Sequence, residues 1–409
     1  MAFPTTPRRS LTARQPELDL GRKHRPDYVL LILCAVMLAI GLMVVYAISP
    51  ALAQANHVSN NYYVTKQLIA IGLSLVAFIV TANIPLSRWR QAYKPLLIIA
   101  GLATLLAFVL PVNPAYPAHR WVRLGGFSFQ SVELVKLAIL VWLAGFLSQQ
   151  IHAGQIINFS KTVKPIIYAV IAIAVVVAGI QSDLGSSGVM LAMVATMAYV
   201  AGLPFKRILL VGLIIILIGS LAISVSPYRR ARLETYLHPT SNCQSTGYQA
   251  CQALIAVGSG GIVGLGLGSS VQAYGYLPEA ANDSIFAIYA EKFGFIGSAL
   301  LLVVLVAFFA RLKTIAERLT DDFSRLIVVG ILAWLSVQAF INIGSMLGLL
   351  PLKGITLPFI SSGGTSVVIV AAAVGLAFQA SQYTSYSTPR VSTETLRRTT
   401  PNRLREVKN

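Results

Sequence analysis

Charged residues are scarce in this sequence. Asp, Glu, Lys and Arg make up only 11% of its 409 residues, whereas 56% are hydrophobic and the mean hydropathy is +0.72. A soluble domain carries about 25% charged residues, so this chain has too few of them to cover a soluble surface. The composition excludes a soluble protein and indicates an integral membrane protein.

Side chains for metal or nucleophilic chemistry are also few. No cluster of His, Cys and Asp has the spacing of a zinc site, and the outer loops offer only His57, His119 and His238 to a Ser-His-Asp triad. The glycines at 260–268 are not followed by Gly-Lys-Ser/Thr, which excludes a P-loop. They indicate a tight re-entrant turn or a close helix contact instead.

Ten apolar runs are long enough to cross a bilayer. A hydrocarbon core about 30 Å thick needs about 20 helical residues at a rise of 1.5 Å each. An open strand would leave backbone groups unsatisfied in lipid, so we predict an all-α membrane protein of about ten transmembrane helices. The runs lie at about 28–48, 65–82, 95–111, 132–149, 165–181, 185–203, 208–226, 284–310, 326–349 and 366–382.

The net charge of +18 follows the membrane topology rather than a nucleic-acid site. Of the 32 Lys and Arg residues, 23 lie in the two tails and in alternate loops, and six lie in the opposite loops. Because cytoplasmic loops hold the excess of Lys and Arg, both termini are predicted to be cytoplasmic. The polytopic domain then spans 28–382, with a large extracytoplasmic loop at 227–283 between the seventh and eighth helices. The tails at 1–27 and 383–409 are predicted to be disordered and to anchor on anionic inner-leaflet lipid, and no nucleic-acid partner is expected.

Ionisable and polar residues inside the apolar runs are the first site candidates. Glu133 and Lys136 are three residues apart on one helix face, and such a pair is costly in lipid unless it faces protein or water. Asp183, in the shortest outer turn, either caps the following helix or pairs with Lys136 between helices. Gln338 and Asn342 also need partners in the membrane.

Two outer loops leave alternatives open. Arg120 and Arg123 flank Trp121, which is typical either of an aromatic residue at the lipid headgroups or of a cationic rim for a phosphate-bearing ligand. Cys243 and Cys251 lie eight residues apart in the large outer loop, where either a disulfide or two free thiols fit.

Few carboxylates lie outside the cytoplasmic segments, and they are Glu133, Asp183, Glu234, Glu279, Asp283 and Glu291. They allow a carboxylate base or a carboxylate–cation site at the outer face. The arginines of the same loops suit a pyrophosphate, so a lipid-linked phosphate substrate fits the composition. Asp283 ends the large loop, and by position alone Asn282, Asp283 or Ser284 serves only as the N-cap of the following helix.

The motifs resemble, in their order, the SEDS family of FtsW, RodA and SpoVE proteins, and the resemblance spans about residues 28–382. They are Arg120-Trp121, Phe129-Gln130-x2-Glu133-Leu134-x-Lys136, Gln181-x-Asp183-Leu184-Gly185, Gly247-Tyr248-Gln249, Leu277-Pro278-Glu279-x3-Asp283 and Leu357-Pro358-Phe359-Ile360-Ser361-Ser362-Gly363-Gly364-Thr365. This chain departs from the family pattern at Ser131-Val132, where Pro-Ser is usual, and at Asn282 and Ser284, where Thr and Phe are usual. The charged residues are kept.

The resemblance implies a ten-helix glycosyltransferase that polymerises lipid II into peptidoglycan strands. It implies a multi-pass protein of the bacterial cytoplasmic (inner) membrane, located at the division septum. The implied partners are a class B penicillin-binding transpeptidase (FtsI-like) and other divisome membrane proteins. The segment 41–46 and the two basic tails are more similar to the FtsW branch than to the RodA branch.

The resemblance also implies site roles. Asp283 is the catalytic carboxylate, expected to act as general base with undecaprenyl pyrophosphate as leaving group. The expected substrate-binding residues are Arg120, Trp121, Arg123, Glu133, Lys136, Asp183, Arg232, Glu279, Ser361, Gly363 and Gly364. A divalent cation, Mg²⁺ or Mn²⁺, is expected without assigned ligands, and no organic cofactor is expected. The alternatives are a RodA-type elongation polymerase, a lipid II flippase and a scaffold for the transpeptidase.

Overall fold

The structure, a computed structural model, describes residues 23–110, 121–124, 127–225, 236, 243–245 and 247–384. Its helices are α1 (Tyr28–Ala55), α2 (Tyr62–Asn83), α3 (Leu86–Gln91), α4 (Tyr93–Val109), α5 (Ser131–His152), α6 (Lys164–Ala172), α7 (Leu184–Val200), α8 (Phe205–Val225), α9 (Tyr248–Ser259), α10 (Ile285–Arg318), α11 (Asp322–Met346) and α12 (Gly364–Ala380). Two π-helical segments, Phe159–Val163 and Ile173–Ile180, extend α6 at its two ends. One short antiparallel hairpin pairs β1 (Trp121–Leu124) with β2 (Phe127–Gln130).

Each of the ten predicted apolar runs is largely helical within the described residues. Within the described residues, seven helical segments are long and apolar enough to cross a membrane: α1, α2, α5, Phe159–Ile180, α10, α11 and Gly364–Tyr383. Helices α4 and α7 are shorter apolar helices, and α8 has 21 residues. The prediction of a mainly helical membrane protein is confirmed, whereas the crossing of the bilayer by ten helices stays a prediction.

Three helices form the interior of the domain. The apolar windows of α5, α11 and α12 are 78%, 72% and 72% buried, whereas those of α1, α2 and α10 are 33% buried or less. The interior helices also carry buried polar side chains such as Lys136 and Gln338. Because polar groups in lipid require protein partners, the helices that carry these side chains pack inside.

The glycine-rich segment at 260–268 packs against an interruption in α10. Gly294 has φ 63° and ψ −161°, so the predicted continuous helix at 284–310 is broken there. The amides of Leu265 and Gly266 donate to the carbonyls of Glu291 and Lys292, both at 3.0 Å. The break leaves two carbonyls of α10 without a partner inside the helix, and amides of the glycine-rich segment bond them. The predicted close contact of this segment is therefore confirmed, and a turn rather than a second helix makes it.

Glu291 and Lys292 hold the same loop through their side chains. The Glu291 carboxylate accepts from the Ser270 hydroxyl at 2.5 Å and from the Val271 amide at 2.9 Å, and the Lys292 ammonium donates to the Leu267 carbonyl at 2.6 Å. The side chains of this charged pair therefore bind the outer loop.

Cys243 and Cys251 form a disulfide with their Cα atoms 5.5 Å apart, which decides between the two alternatives for these residues. Of the predicted tails, residues 1–22 and 385–409 lie outside the described part of the chain. His24 and Asp27 donate through their amides to residues 382 and 381 at the other end of the domain, and the domain bounds stay predictions.

Candidate functional site

Asp283 lies at the junction between the large outer loop and α10. Ser284 is the N-cap residue, and its hydroxyl donates to the Pro278 carbonyl at 2.8 Å instead of capping the helix. Asp283 precedes that cap and its side chain is half-buried. The cap position therefore falls on Ser284, one of the three residues expected for it, and not on Asp283.

The backbone of Asp283 is held by a buried amide from α11. Asn342 Nδ2 donates to the Asp283 carbonyl and to the Ile355 carbonyl, both at 2.7 Å. Asn342 is fully buried. Because a buried donor is costly to leave unsatisfied, these two bonds join α11, the start of α10 and the chain around Ile355.

The residue before Asp283 is held by the segment that precedes α12. Ser361 Oγ donates to the Asn282 carbonyl and accepts from the Leu357 amide, both at 2.7 Å. The neighbouring Ser362 amide donates to the Ala281 carbonyl at 2.8 Å. Ser361 is fully buried and supports the turn that carries Asp283, whereas its expected role in substrate binding stays a prediction.

Glu279 shapes the same turn. Its φ of 53° lies in the left-handed region, which is uncommon for a residue with a Cβ atom. Asn282 donates through its backbone amide to the Glu279 carbonyl at 2.9 Å and through its side chain to Glu279 Oε2 at 2.5 Å. The exposed Glu279 thus forms the turn of the chain that leads to Asp283 and then to the N-cap residue of α10.

A buried polar network joins α5 to α11. Lys136 Nζ donates to Glu133 Oε1 at 2.8 Å and to Gln338 Oε1 at 3.1 Å, and it lies 5.3 Å from the Trp334 ring centroid. Gln338 Oε1 also accepts from the Trp334 indole at 2.8 Å, and Gln338 Nε2 donates to the Thr356 carbonyl at 2.9 Å. The prediction that Glu133 and Lys136 face protein or water inside the membrane is confirmed.

Asp183 caps α7. Its Oδ1 accepts from the Ser186 amide at 3.0 Å and its Oδ2 from the Ser186 hydroxyl at 2.9 Å. Lys136 makes its ionic contact with Glu133, so the alternative pairing of Lys136 with Asp183 is wrong. The physical reason is that Glu133 lies one turn away on the same helix face.

The signature segment before α12 contacts the other motifs. A Cβ atom at Gly185 would lie 2.6 Å from Ile355 Cδ1, so the Asp183 turn packs closely on this segment. Thr365 Oγ1 accepts from the Gln130 amide at 3.3 Å and donates to the Ser128 carbonyl at 3.2 Å. The β-hairpin that begins with Trp121 is therefore attached to the first turn of α12.

The sequence model of the family described as Cell cycle protein, which takes in FtsW, RodA and SpoVE, matches residues 28–386. The chain belongs to the FtsW/RodA/SpoVE family. It is 35% identical over 367 residues to stage V sporulation protein E of Bacillus subtilis, covering 89% of this chain and 99% of that protein. It is 37% identical over 370 residues to the protein of Nitrosomonas europaea named "Probable peptidoglycan glycosyltransferase FtsW", covering 88% and 92% of the two chains.

Solved structures of the family share the fold. One match is a chain from a structure described as "Structural coordination of polymerization and crosslinking by a peptidoglycan synthase complex". Its TM-score is 0.73 at 25% identity, and the match covers 88% of this chain and 99% of that chain. RodA, the rod shape determining protein of Thermus thermophilus, matches with a TM-score of 0.64 at 24% identity, covering 89% and 98%.

The described residues include only part of the site predicted from the family motifs. Trp121 begins β1 and is half-buried, and the backbone of Arg123 belongs to the same strand. Arg120 and Arg232 lie outside the described residues. The binding roles of these residues stay predictions.

The two glycines of the signature differ in their surroundings. Gly363 is the N-cap residue of α12, where a Cβ atom would lie 2.8 Å from Thr356 Cγ2. Gly364 begins the helix, and no neighbouring atom lies within 4 Å of its Cβ position. Gly363 thus permits close packing, while Gly364 leaves open space beside the helix N-terminus.

Four supporting residues were not assigned to the site from the sequence. Gln338 and Asn342 were recognised only as polar groups in need of partners, and their isolation in an apolar helix was the available signal. Trp334 and Thr356 gave no such signal, because an aromatic or a threonine in a membrane helix or loop is ordinary. Their contacts with Gln338 depend on the packing of α11 against the signature segment.

The described residues contain no group of three His, Cys, Asp or Glu side chains able to hold a metal ion. Mg²⁺ is commonly held by one or two carboxylates together with substrate phosphates, so it does not require three protein ligands. The expected divalent cation stays a prediction.

Proposed function

We propose that this chain is a peptidoglycan glycosyltransferase that polymerises lipid II. The proposal depends on the position of Asp283, which directly precedes the N-cap residue of α10. Asn342 bonds the backbone carbonyl of Asp283, and Ser361 bonds that of the preceding residue. Membership of the family and the names of its relatives support the substrate class. A carboxylate at a helix start beside a loop suits a substrate whose sugar lies outside the bilayer and whose lipid lies within it.

In the proposed reaction Asp283 acts as general base. Its carboxylate accepts the proton of the 4-hydroxyl of the acceptor sugar as that oxygen forms a bond to the anomeric carbon of the growing chain. The bond from that carbon to the phosphate oxygen breaks, and undecaprenyl pyrophosphate leaves with the bonding electrons. Positioned proton transfer of this kind contributes about 10²–10⁴-fold to the rate.

The leaving pyrophosphate requires positive charge. Arginines suit it because their planar guanidinium groups bind phosphate oxygens in pairs, and Arg120, Arg123 and Arg232 are our candidates. Lys136 is a weaker candidate for direct contact because Glu133 and Gln338 already accept from its ammonium group. We also propose that a Mg²⁺ or Mn²⁺ ion accompanies the diphosphate, and no step above depends on it.

The biological setting is part of the proposal. Both termini are cytoplasmic, ten helices cross the inner membrane, and the protein works at the septum with a class B transpeptidase. The relatives named FtsW support the division role, and the match to a peptidoglycan synthase complex supports a transpeptidase partner. The fold shared with RodA supports the second candidate, a polymerase for cell elongation.

Polymerisation of purified lipid II tests the activity, with and without the cognate transpeptidase. We expect glycan strands from the wild-type protein and a rate lower by about 10²–10⁴-fold for Asp283→Asn, at an unchanged melting temperature. Glu317→Gln, which removes an exposed carboxylate at the far end of α10, is the matched control and should polymerise normally. Wild-type rates for Asp283→Asn would refute the catalytic role, and lipid II translocation without polymer under any condition would favour a flippase.

A further inference from the structure

A cavity of about 270 Å³ lies at the C-terminal end of α10, the end opposite to Asp283. Its walls come from the residues before α1, from the last two turns of α10 and from the residues after α12. Arg25, Asp27, Arg311 and Arg318 supply its charged lining. The excess of Lys and Arg in the tails and alternate loops assigns this end to the cytoplasm.

The floor of the cavity is a built structure. Asp27 accepts from the Leu30 amide at 3.1 Å and so caps α1, and its Oδ2 pairs with Arg311 Nε at 2.5 Å. The Asp27 amide donates to Ser381 Oγ at 2.9 Å. Asp27 therefore joins the start of α1, the end of α10 and the residues after α12.

The two chain segments beside the cavity are also attached to each other and to α10. The His24 amide donates to the Gln382 carbonyl at 2.7 Å, and Leu319 forms an antiparallel bridge with Thr384. The entry of the chain into α1 and its exit from α12 therefore meet beside the end of α10. These contacts hold the segments that line the cavity together.

The charge of the lining is positive. Asp27 balances one of the three arginines, Arg311, through their ion pair. Arg25 and Arg318 are exposed at the rim, so the residues that line the cavity include three arginines and one aspartate. Guanidinium groups bind phosphate oxygens in pairs, so the arginines of this cavity suit a phosphate group.

The cavity continues onto an apolar surface. Tyr28 and Val29 belong to its lining and are 56% and 48% exposed at the start of α1. Along the same helix Ile32 is 60% exposed, so an apolar strip runs from the cavity into the membrane. A cationic pocket at the cytoplasmic ends of membrane helices, next to such a strip, is the arrangement that anionic lipid headgroups bind.

We propose that this cavity binds the phosphate group of an anionic phospholipid of the inner leaflet. Arg25 and Arg318 hold the phosphate, and the acyl chains lie along the exposed face of α1. The site is separate from the one that carries Asp283, so the proposal does not depend on the proposed enzymatic function.

Lipid binding to the purified full chain in a non-ionic detergent tests the proposal. Dioleoyl phosphatidylglycerol is titrated and bound lipid is counted by native mass spectrometry, with dioleoyl phosphatidylcholine and inorganic phosphate as separate arms. The test variant is R25Q/R318Q. The charge-matched control is K161Q/K206Q, which removes two exposed cations outside the cavity on the same predicted side.

We expect the dissociation constant for phosphatidylglycerol to rise about 30-fold in R25Q/R318Q, since each cation near a membrane surface contributes about fivefold. The control variant should bind within about twofold of the wild type, because its charges lie outside the pocket. Phosphatidylglycerol should also slow hydrogen exchange at 381–384 in the wild type but not in R25Q/R318Q. An equal loss in the two variants, equal affinity for phosphatidylcholine, or a dissociation constant for inorganic phosphate as low as that for phosphatidylglycerol would overturn the proposal.

Discussion

The side-chain amide of Asn342 donates a 2.7 Å hydrogen bond to the backbone carbonyl of Asp283. The same nitrogen donates to the Ile355 carbonyl at 2.7 Å. Asn342 therefore sets the position of Asp283 through the backbone carbonyl and not through the carboxylate. It is a positioning residue for the proposed reaction.

Asn342→Leu should lower kcat for lipid II polymerisation by about 10²-fold with a small change in KM, because a displacement of about 1 Å at a catalytic group has an effect of this size. It should also lower the free energy of unfolding by about 1–3 kcal/mol, because two buried carbonyls lose their donor. Steady-state kinetics and thermal denaturation measure the two effects.

Ser345→Ala is the control for this change. Ser345 lies one turn further along α11, and its hydroxyl donates only to the carbonyl of Asn342. Its removal should leave kcat within about twofold, since no contact to Asp283 is lost. An Asn342→Leu protein with wild-type kcat would contradict the positioning role.

Lys136→Met should lower the free energy of unfolding by about 3–5 kcal/mol, because it leaves the buried Glu133 carboxylate without its cation. The double variant Glu133→Gln/Lys136→Met removes both charges and should recover most of that stability. If the pair serves only helix packing, the double variant also recovers polymerisation. Stability without activity would show that a charged side chain of the pair meets the substrate.

An exposed ion pair on α10 provides the comparison. Lys313 Nζ lies 3.6 Å from Glu317 Oε1, with both side chains more than 60% exposed. Lys313→Met should change stability by about 0–1 kcal/mol, because solvent screens the pair. If Lys136→Met and Lys313→Met lowered the free energy of unfolding by similar amounts, burial would not control the strength of the Glu133–Lys136 contact.

Gly264→Ala should unfold the contact between the outer loop and α10. Gly264 has φ 82°, and an added Cβ atom would lie 2.2 Å from the Lys292 carbonyl oxygen, which cannot move away without disturbing α10. The left-handed backbone alone costs on the order of 1–3 kcal/mol for a residue with a side chain. Limited proteolysis should cleave the loop faster in this variant than in the wild type, and thermal denaturation should show a lower melting temperature.

Gly268→Ala is the matched control in the same segment. No atom lies within 4 Å of its Cβ position and its φ is outside the left-handed region, so the change should be nearly neutral. Equal proteolysis of the two alanine variants would contradict the close contact at Gly264.

The double variant Cys243→Ser/Cys251→Ser should lower the free energy of unfolding by about 2–3 kcal/mol, the value expected for closing a short loop. It should retain lipid II polymerisation, because the bonds from Asn342 and Ser361 to the Asp283 turn do not involve the bridge. A reductant should lower the melting temperature of the wild type and leave that of the double variant unchanged. A wild-type melting temperature insensitive to reductant would contradict the prediction.

The sequence predicted the elements of the site better than their partners. Glu133 and Lys136 were recognised as a pair from their spacing, because residues three apart on a helix share a face. The pairing of Lys136 with Asp183 was wrong because a contact between helices depends on their packing. The break of α10 at Gly294 was also missed, since an isolated glycine is common within apolar helices.

The sequence by itself determined the membrane class, the positions of the helices and the family, because apolar length and the order of motifs are properties of the chain alone. Only the tertiary structure decided how Asp283 is held, since its partner Asn342 lies 59 residues away on another helix. It likewise decided that the glycine-rich segment packs against the break in α10. It also decided that residues from both ends of the domain line the cationic cavity. These features require helices distant in sequence to pack together, and the pattern of residues along one helix does not specify its neighbours.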